Sequence, residues 1–347
     1  MSPARRRAPA PEIRYALVLQ GGGALGAYEL GVLQRLFKEP GFQPHYVSGV
    51  SIGAITAAIL VGARNGDPLA CLASLWEDFV VKGSPVVPAF FEPGLSALGN
   101  PAFYRVRRDY LAMPFWTSFY ELGPIRDRLC ELVDFDALME SPTRLVVTAT
   151  NIETGEIEAF DNSGATGPLT VDHVLASGSL PPGFPMTPIG ESLYWDGGLF
   201  DNTPLSPLLK LIDPIDAPHT KLFVVNLFPK AGKVPKDMIA VSDRMIELIF
   251  ANKMRKDVDI AKTVNRFVAL IDEMVAAHPE VRHLLDQPEF EQLRRYKALS
   301  DIVEITNNRD EPVNAASDFS RDAIAARIAA GLHDADKALK ETMAAAA

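Results

Sequence analysis

His45-Tyr46-Val47-Ser48-Gly49-Val50-Ser51-Ile52-Gly53-Ala54-Ile55 is the stretch on which the fold turns. A strand, His45 to Ser48, ends in G-x-S-x-G and continues into an apolar run, Ala54 to Val61, that Gly62 closes. That context gives the motif its meaning: a serine on a tight strand-to-helix turn adopts strained dihedrals, and the helix can approach the strand only where the flanking residues lack a Cβ. Gly49 and Gly53 meet that requirement. Ser51 then stands at a helix N-terminus, where unpaired N–H groups and the helix dipole favour negative charge on its oxygen. It is the candidate nucleophile.

The same alternation recurs upstream. Tyr15 to Leu19 reads as a buried strand that runs into Gly21-Gly22-Gly23-Ala24-Leu25-Gly26. Ala27, Leu30, Leu33, Leu36 and Phe37 then recur at helical spacing until Glu39-Pro40-Gly41 stops the segment. Downstream, Leu145 to Ala149 and Leu222 to Leu227 read as central strands of a parallel sheet, and Thr154-Gly155 between Asn151 and Phe160 as a hairpin turn. The pattern predicts an α/β layered domain over residues 14–230, a mostly parallel central sheet flanked by helices. Residues 1–13 read as a disordered tail, and 231–347 as a mostly helical C-terminal extension interrupted by a strand candidate, Ile302 to Ile305. An aromatic-rich insertion over 85–122 carries Phe90, Phe91, Phe103, Tyr104, Tyr110, Phe115, Trp116, Phe119 and Tyr120. It reads as irregular, either packing a small core of its own or capping a cleft.

Composition bounds the function. The 347 residues carry 34 Lys+Arg against 44 Asp+Glu, a formal net charge of -10, which argues against a nucleic-acid partner. Only Cys71 and Cys130 are present, too few for a disulfide scaffold or a Cys-rich zinc site. The N-terminus starts basic, but its apolar run is too short for a secretion signal, and no window approaches the ~20 apolar residues of a membrane span. The expectation is a soluble, cytoplasmic protein, with peripheral contact at the inner membrane face and the oligomeric state left open.

Gly21 to Gly26 also satisfies G-x-G-x-x-G, the dinucleotide-binding fingerprint. That reading asks for an acidic residue at the end of the second strand, where this chain has His45 to Ser51 and no carboxylate; nor is there a Gly-Lys-Ser/Thr. The same geometry serves better as an oxyanion hole, backbone N–H groups aimed at charge developing on a carbonyl. A nucleophilic serine also needs a base. His45 stands at the start of its strand and His219 precedes its own, both at the opposite sheet edge from Ser51, and His173 falls in a helical stretch; an Asp-His relay through His219 is the poorer alternative. Asp196, in Leu193-Tyr-Trp-Asp196-Gly197-Gly198, comes after an apolar strand and sits on a glycine turn. A carboxylate can serve a hydroxyl only in direct contact and partly desolvated, and two glycines permit that approach.

Taken in order, Gly21 to Gly26, Gly49 to Gly53 and Asp196-Gly197-Gly198 resemble the motifs of the patatin-like phospholipases, serine acyl hydrolases with a Ser/Asp dyad. Ala176 to Pro185 is similar to the family's Pro-rich stretch before the base. The resemblance spans about residues 14–230. It implies Ser51 as nucleophile, Asp196 as base, the backbone of Gly21, Gly22 and Gly23 as oxyanion hole, fatty-acyl esters of lipids as substrates, and no metal or cofactor. Ala24, Leu25, Gly26, Gly49, Gly53, Gly197 and Gly198 complete the motifs. Many relatives carry Arg or Lys where this chain has Leu25. Ile305 to Leu339 resembles a C-terminal extension of a bacterial subgroup. Two alternatives stand beside a lipid acyl hydrolase: an esterase or depolymerase acting on short hydroxyacyl polyesters or thioesters, and a non-catalytic lipid- or membrane-binding module.

Overall fold

The computed structural model describes residues 12–81, 95–96, 98–165, 167–229, 234–250, 254–309, 311 and 315–346. The expected tail therefore lies almost wholly outside the described residues, as do Phe90 and Phe91. The strands are β1 (Arg14–Leu19), β2 (Pro44–Gly49), β3 (Arg105–Val106), β4 (Tyr120–Glu121), β5 (Arg144–Asn151), β6 (Ile157–Asp161), β7 (Thr187–Ile189), β8 (Ser192–Asp196), β9 (Thr220–Asn226) and β10 (Ile302–Thr306). The helices are α1 (Ala27–Leu36), α2 (Ile52–Gly62), α3 (Pro68–Phe79), α4 (Gly123–Leu132), α5 (Phe135–Glu140), α6 (Val171–Ser177), α7 (Leu205–Leu211), α8 (Met238–Phe250), α9 (Met254–Ala277), α10 (Pro288–Arg294) and α11 (Arg321–Ala346).

The central sheet runs β10-β9-β1-β2-β5-β8-β7, with β6 also on β5. β10, β9, β1, β2 and β5 are mutually parallel, and β6, β7 and β8 are antiparallel to their neighbours. Alternation of side chains divides the core in two. Leu17, Leu19, Val47, Phe223 and Val225 face a large cluster built with α1, α2, α3 and α11. Ala16, Val18, Tyr46, Leu222 and Val224 face a smaller one closed by α7, Ala261 of α9 and Leu299. The chain is an α/β protein with a mostly parallel sheet between helical layers.

The region after 230 does more than append helices. β10 pairs in register along β9, from Ile302 opposite Leu222 to Thr306 opposite Asn226. Without it β9 would be an exposed edge of buried, apolar residues, which sheets avoid. α11 lies along α1, where Gly31 and Gly331 let the two backbones meet. The aromatic insertion divides: Phe103 and Tyr104 are buried against Phe79, Phe184 and Phe319, whereas Tyr110, Phe115 and Phe119 are exposed. It is also not irregular throughout, since β3 and β4 form a short antiparallel ribbon.

Candidate active site

The site is made by two strands running head to head. β6 pairs with β5 from Val146 to Thr150 and occupies one edge of that strand. β2 and β8 therefore share the other edge, β2 ending with Gly49 opposite Val147 and β8, from the opposite direction, ending with Asp196 opposite Ala149. The turn after Gly49 is thereby delivered onto Asp196.

That turn carries Ser51, at φ 57° and ψ -125°, the one non-glycine residue of positive φ among the described residues. A β-carbon at Gly53 would meet the carbonyl oxygens of Leu19 and Gln20, so the helix can start this close to β1 only with glycine there. Ser51 N–H donates to Ser177 Oγ at 3.0 Å. On the other side, Asp196 N–H donates to the Ser179 carbonyl at 3.0 Å. The turn Ser177-Gly178-Ser179 at the end of α6 thus fixes both residues, a function the sequence signalled only through the resemblance of Ala176 to Pro185.

The Asp196 carboxyl is buried, accepts Gly198 N–H at 2.7 Å on Oδ1 and borders the same cavity as Ser51. Burial pushes its pKa up to about 7, against the lowering effect of Ser51 and Gly198. Gly197 lies against the Thr148 backbone, and a β-carbon at Gly198 would stand 3.0 Å from Asp196 Oδ1. The glycine motif thus makes room for the carboxyl and also donates to it.

The glycine loop meets the same point, with one correction. Gly21 N–H donates to Asn202 Oδ1 at 3.1 Å, and Asn202 Nδ2 returns a bond to the Gly21 carbonyl at 3.0 Å. Gly21, expected as an oxyanion donor, is therefore already engaged by a buried side chain. Gly22 N–H and Gly23 N–H have no partner among the described residues, nor has Ile52 N–H, directly after Ser51. Ala24, Leu25 and Gly26 turn back into α1, with Leu25 N–H on the Gly22 carbonyl at 3.1 Å and Gly26 against Ile52. Asn202 was legible only as part of the segment after the Asp-Gly-Gly turn. Next to it, Thr203 accepts from Gln20 Nε2 at 2.6 Å, so one segment holds both Asp196 and the start of the glycine loop.

The histidines lie elsewhere. His45 Nδ1 accepts Tyr15 N–H at the start of β2, His173 caps the N-terminus of α6, and His219 precedes β9. None lines the cavity that opens above Ser51 and Asp196. That cavity, of about 780 Å³, is bounded by Gly21, Gly22, Gly23 and by apolar side chains such as Ile55, Phe103, Ile125, Leu175, Phe184 and Phe319. Among the described residues no cluster of His, Cys, Asp and Glu is placed to hold a metal, and no helix is long and apolar enough to cross a membrane.

A strained serine at an elbow, a buried aspartate against it and a glycine loop beside both define a class, and comparison with known proteins names it. The patatin-like phospholipase family model matches residues 17–209, and a second, described as patatin phospholipase, matches 248–346. The chain belongs to the patatin-like phospholipase family. It is 26% identical over 231 residues to triacylglycerol lipase 4 of Saccharomyces cerevisiae, a match covering 62% of this chain and 24% of that protein. The chain thus spans about a quarter of that relative's length. Among solved structures it is similar to VipD from Legionella pneumophila (18% identity, 96% of this chain and 67% of that one, TM-score 0.41). It is also similar to the ExoU-SpcU complex of the Pseudomonas aeruginosa type III secretion system (17% identity, 94% and 75%, TM-score 0.31).

Proposed function

We propose that this protein is a serine acyl hydrolase that cleaves fatty-acyl ester bonds of lipids through Ser51 and Asp196. The observation that carries the reading is a strained elbow serine set beside a buried carboxyl at the floor of an apolar cavity. Ser51 Oγ bonds to the acyl carbon as its proton passes to Asp196, and the carbonyl oxygen becomes an oxyanion. Gly22 N–H and Gly23 N–H, with Ile52 N–H at the start of α2, have no partner among the described residues and are the donors proposed to receive that charge. The tetrahedral centre collapses, the C–O bond to the alcohol breaks, and Asp196 returns the proton to the leaving oxygen. Water then attacks the acyl-enzyme, Asp196 takes its proton, and Ser51 is regenerated.

A carboxylate at its ordinary pKa is a poor base for a hydroxyl. Burial that raises Asp196 to about 7 makes it a better one at neutral pH, and direct contact dispenses with a relaying imidazole. The apolar walls suit an acyl chain of substantial length. Exposed Phe119, whose N–H donates to the Pro182 and Gly183 carbonyls, and exposed Leu111 and Phe115 of the same insertion support peripheral contact with a lipid surface.

The test is hydrolysis of p-nitrophenyl esters over a series of acyl chain lengths, with Ser51→Ala and Asp196→Asn alongside. A long-chain optimum, and a loss on the order of 10⁴-fold in each variant, is expected. An optimum at short chains would transfer the reading to a short-chain esterase or depolymerase. Turnover untouched by Ser51→Ala would refute it, and binding to liposomes without any hydrolysis would leave a lipid-binding module.

A further inference from the structure

The glycine loop, Gly21 to Gly26, carries no charged side chain of its own. A cation reaches it from the far end of the chain. Arg327 on α11 is fully buried, and its guanidinium is bonded on every side: Nη1 to the Ala24 carbonyl at 3.3 Å and to the Asp318 carbonyl at 2.8 Å, Nε and Nη2 to Glu311 Oε2 at 3.2 and 3.0 Å. Burying an ion pair of this kind costs desolvation that an apolar pair would avoid, so it is weak support for stability in its own right. Its placement gives it another use.

The carbonyl of Ala24 and the N–H of Leu25 belong to one peptide group. Leu25 N–H donates to the Gly22 carbonyl at 3.1 Å, and that carbonyl shares its peptide with Gly23 N–H, a donor that has no partner among the described residues and borders the cavity. Arg327 therefore heads a line of aligned dipoles: guanidinium to Ala24 carbonyl, Leu25 N–H to Gly22 carbonyl, ending at Gly23 N–H. Hydrogen bonds in such a series polarise one another, and a charged first donor strengthens the last. The neighbouring segment fixes the loop from above. Gly23, at φ 56°, lies so close to the Ala316 carbonyl that a β-carbon would strike it, and Ser96 Oγ holds the adjoining Ser317 carbonyl at 2.5 Å.

We propose that Arg327 is a positioning residue for the oxyanion site: through Ala24 it holds the glycine loop in register and polarises Gly23 N–H, so that the C-terminal region completes the active site. The inference rests on the hydrolase reading above for its catalytic consequence, but not for its structural one.

The experiment uses the full chain with Arg327→Met, Arg327→Lys and Glu311→Gln. Steady-state hydrolysis of a p-nitrophenyl ester is read beside hydrogen exchange of the peptide spanning residues 20–27. Arg327→Met is expected to lower kcat about 10- to 100-fold with KM changed less than threefold, since the donors matter most in the transition state. The pH midpoint should stay where it is, because Asp196 is untouched. Arg327→Lys keeps the charge but not the fork, and should fall between wild type and Arg327→Met. Exchange at Gly22 to Leu25 should quicken at least tenfold in both, with β1 and β2 unchanged. Glu311→Gln, which loosens the other side of the guanidinium, should quicken exchange at Gly22 to Leu25 by less than Arg327→Met does. A folded Arg327→Met with kcat within twofold of wild type, or a loss confined to KM, would overturn the proposal. Should Arg327→Met not fold, Arg327→Lys decides by the same two readouts. If wild type hydrolyses nothing, the hydrolase reading fails by itself, and exchange still decides: a quickened loop supports the anchor and an unchanged one refutes it.

Discussion

As the proposed base, Asp196 has to be ionised in a place that favours its neutral form, and that tension sets the pH behaviour expected of the protein. Its pKa is raised to about 7 because burial penalises the charge, with Ser51 and Gly198 only partly offsetting it. If the carboxylate is the base, kcat/KM on a neutral ester should rise about tenfold per pH unit below that point and level off above it. Initial rates from pH 5 to 9 check this; a midpoint near 4 would mean the carboxyl is solvated. The same shift has a stability consequence of opposite sense. The folded pKa lies above the ordinary value, so the folded state binds the proton more tightly, and the stabilisation is complete below about pH 4 and lost as pH rises through 7. Asp196→Asn removes the charge, so it should melt higher than wild type at pH 8 and close to it at pH 5. Glu29, fully buried in α1 with no hydrogen bond to either carboxyl oxygen among the described residues and its pKa raised to about 8 by burial against a lowering effect of Thr56, should behave alike. Glu29→Gln is expected to gain stability above pH 8 and little at pH 5, read from the same melts.

At the level of elements, the motifs were legible and their meeting was not. G-x-S-x-G between a strand and an apolar helix announced the elbow, because only a strained turn needs glycine on both flanks. Nothing in local pattern says that β8 runs antiparallel along the same edge of β5 that β2 occupies, and that register is what joins Ser51 to Asp196. The work of Ser177 and Ser179 was hidden from local pattern for the same reason, since it is done on residues more than fifteen positions away. The glycine loop was read as three equivalent donors, whereas Asn202, from a different segment, takes the first of them. That pairing carries a prediction. Asn202→Ala leaves Gly21 N–H and its carbonyl buried without partners, which costs about 1–3 kcal/mol for a lost buried bond. A loss of unfolding free energy of that size, read as a lower urea midpoint, is expected, with kcat falling more than KM rises. A midpoint equal to wild type would mean that the loop holds its shape unaided.

Over the whole molecule, the expectation of a catalytic domain followed by an extension meets a chain whose two ends are interleaved. A hydropathy pattern cannot reveal this, because a short apolar strand such as Ile302 to Ile305 reads alike at a sheet edge or in a separate helical unit. β10 closes one side of the sheet, and α11 lies on α1 with backbone nearly touching backbone: a β-carbon at Gly31 would collide with the Ile328 carbonyl, and one at Gly331 with the Tyr28 carbonyl. Tyr28 also donates its hydroxyl to Asp334 at 2.9 Å, fixing how α11 is rotated on α1. This crossing makes a prediction in which two effects have opposite sign. In an exposed helix interior, Gly331→Ala would stabilise by about 1 kcal/mol through helix propensity. Here the added methyl meets backbone that cannot swing away, and overpacking of that kind costs about 1–3 kcal/mol. The contact should win, and urea unfolding should show a lower midpoint with the slope unchanged. Because α11 carries Arg327 and α1 begins where the glycine loop ends, the displaced helix should also lower ester hydrolysis in urea too dilute to unfold the protein. A midpoint raised by Gly331→Ala would mean that the helices part readily, and that the C-terminal region is an appendage rather than a wall of the site.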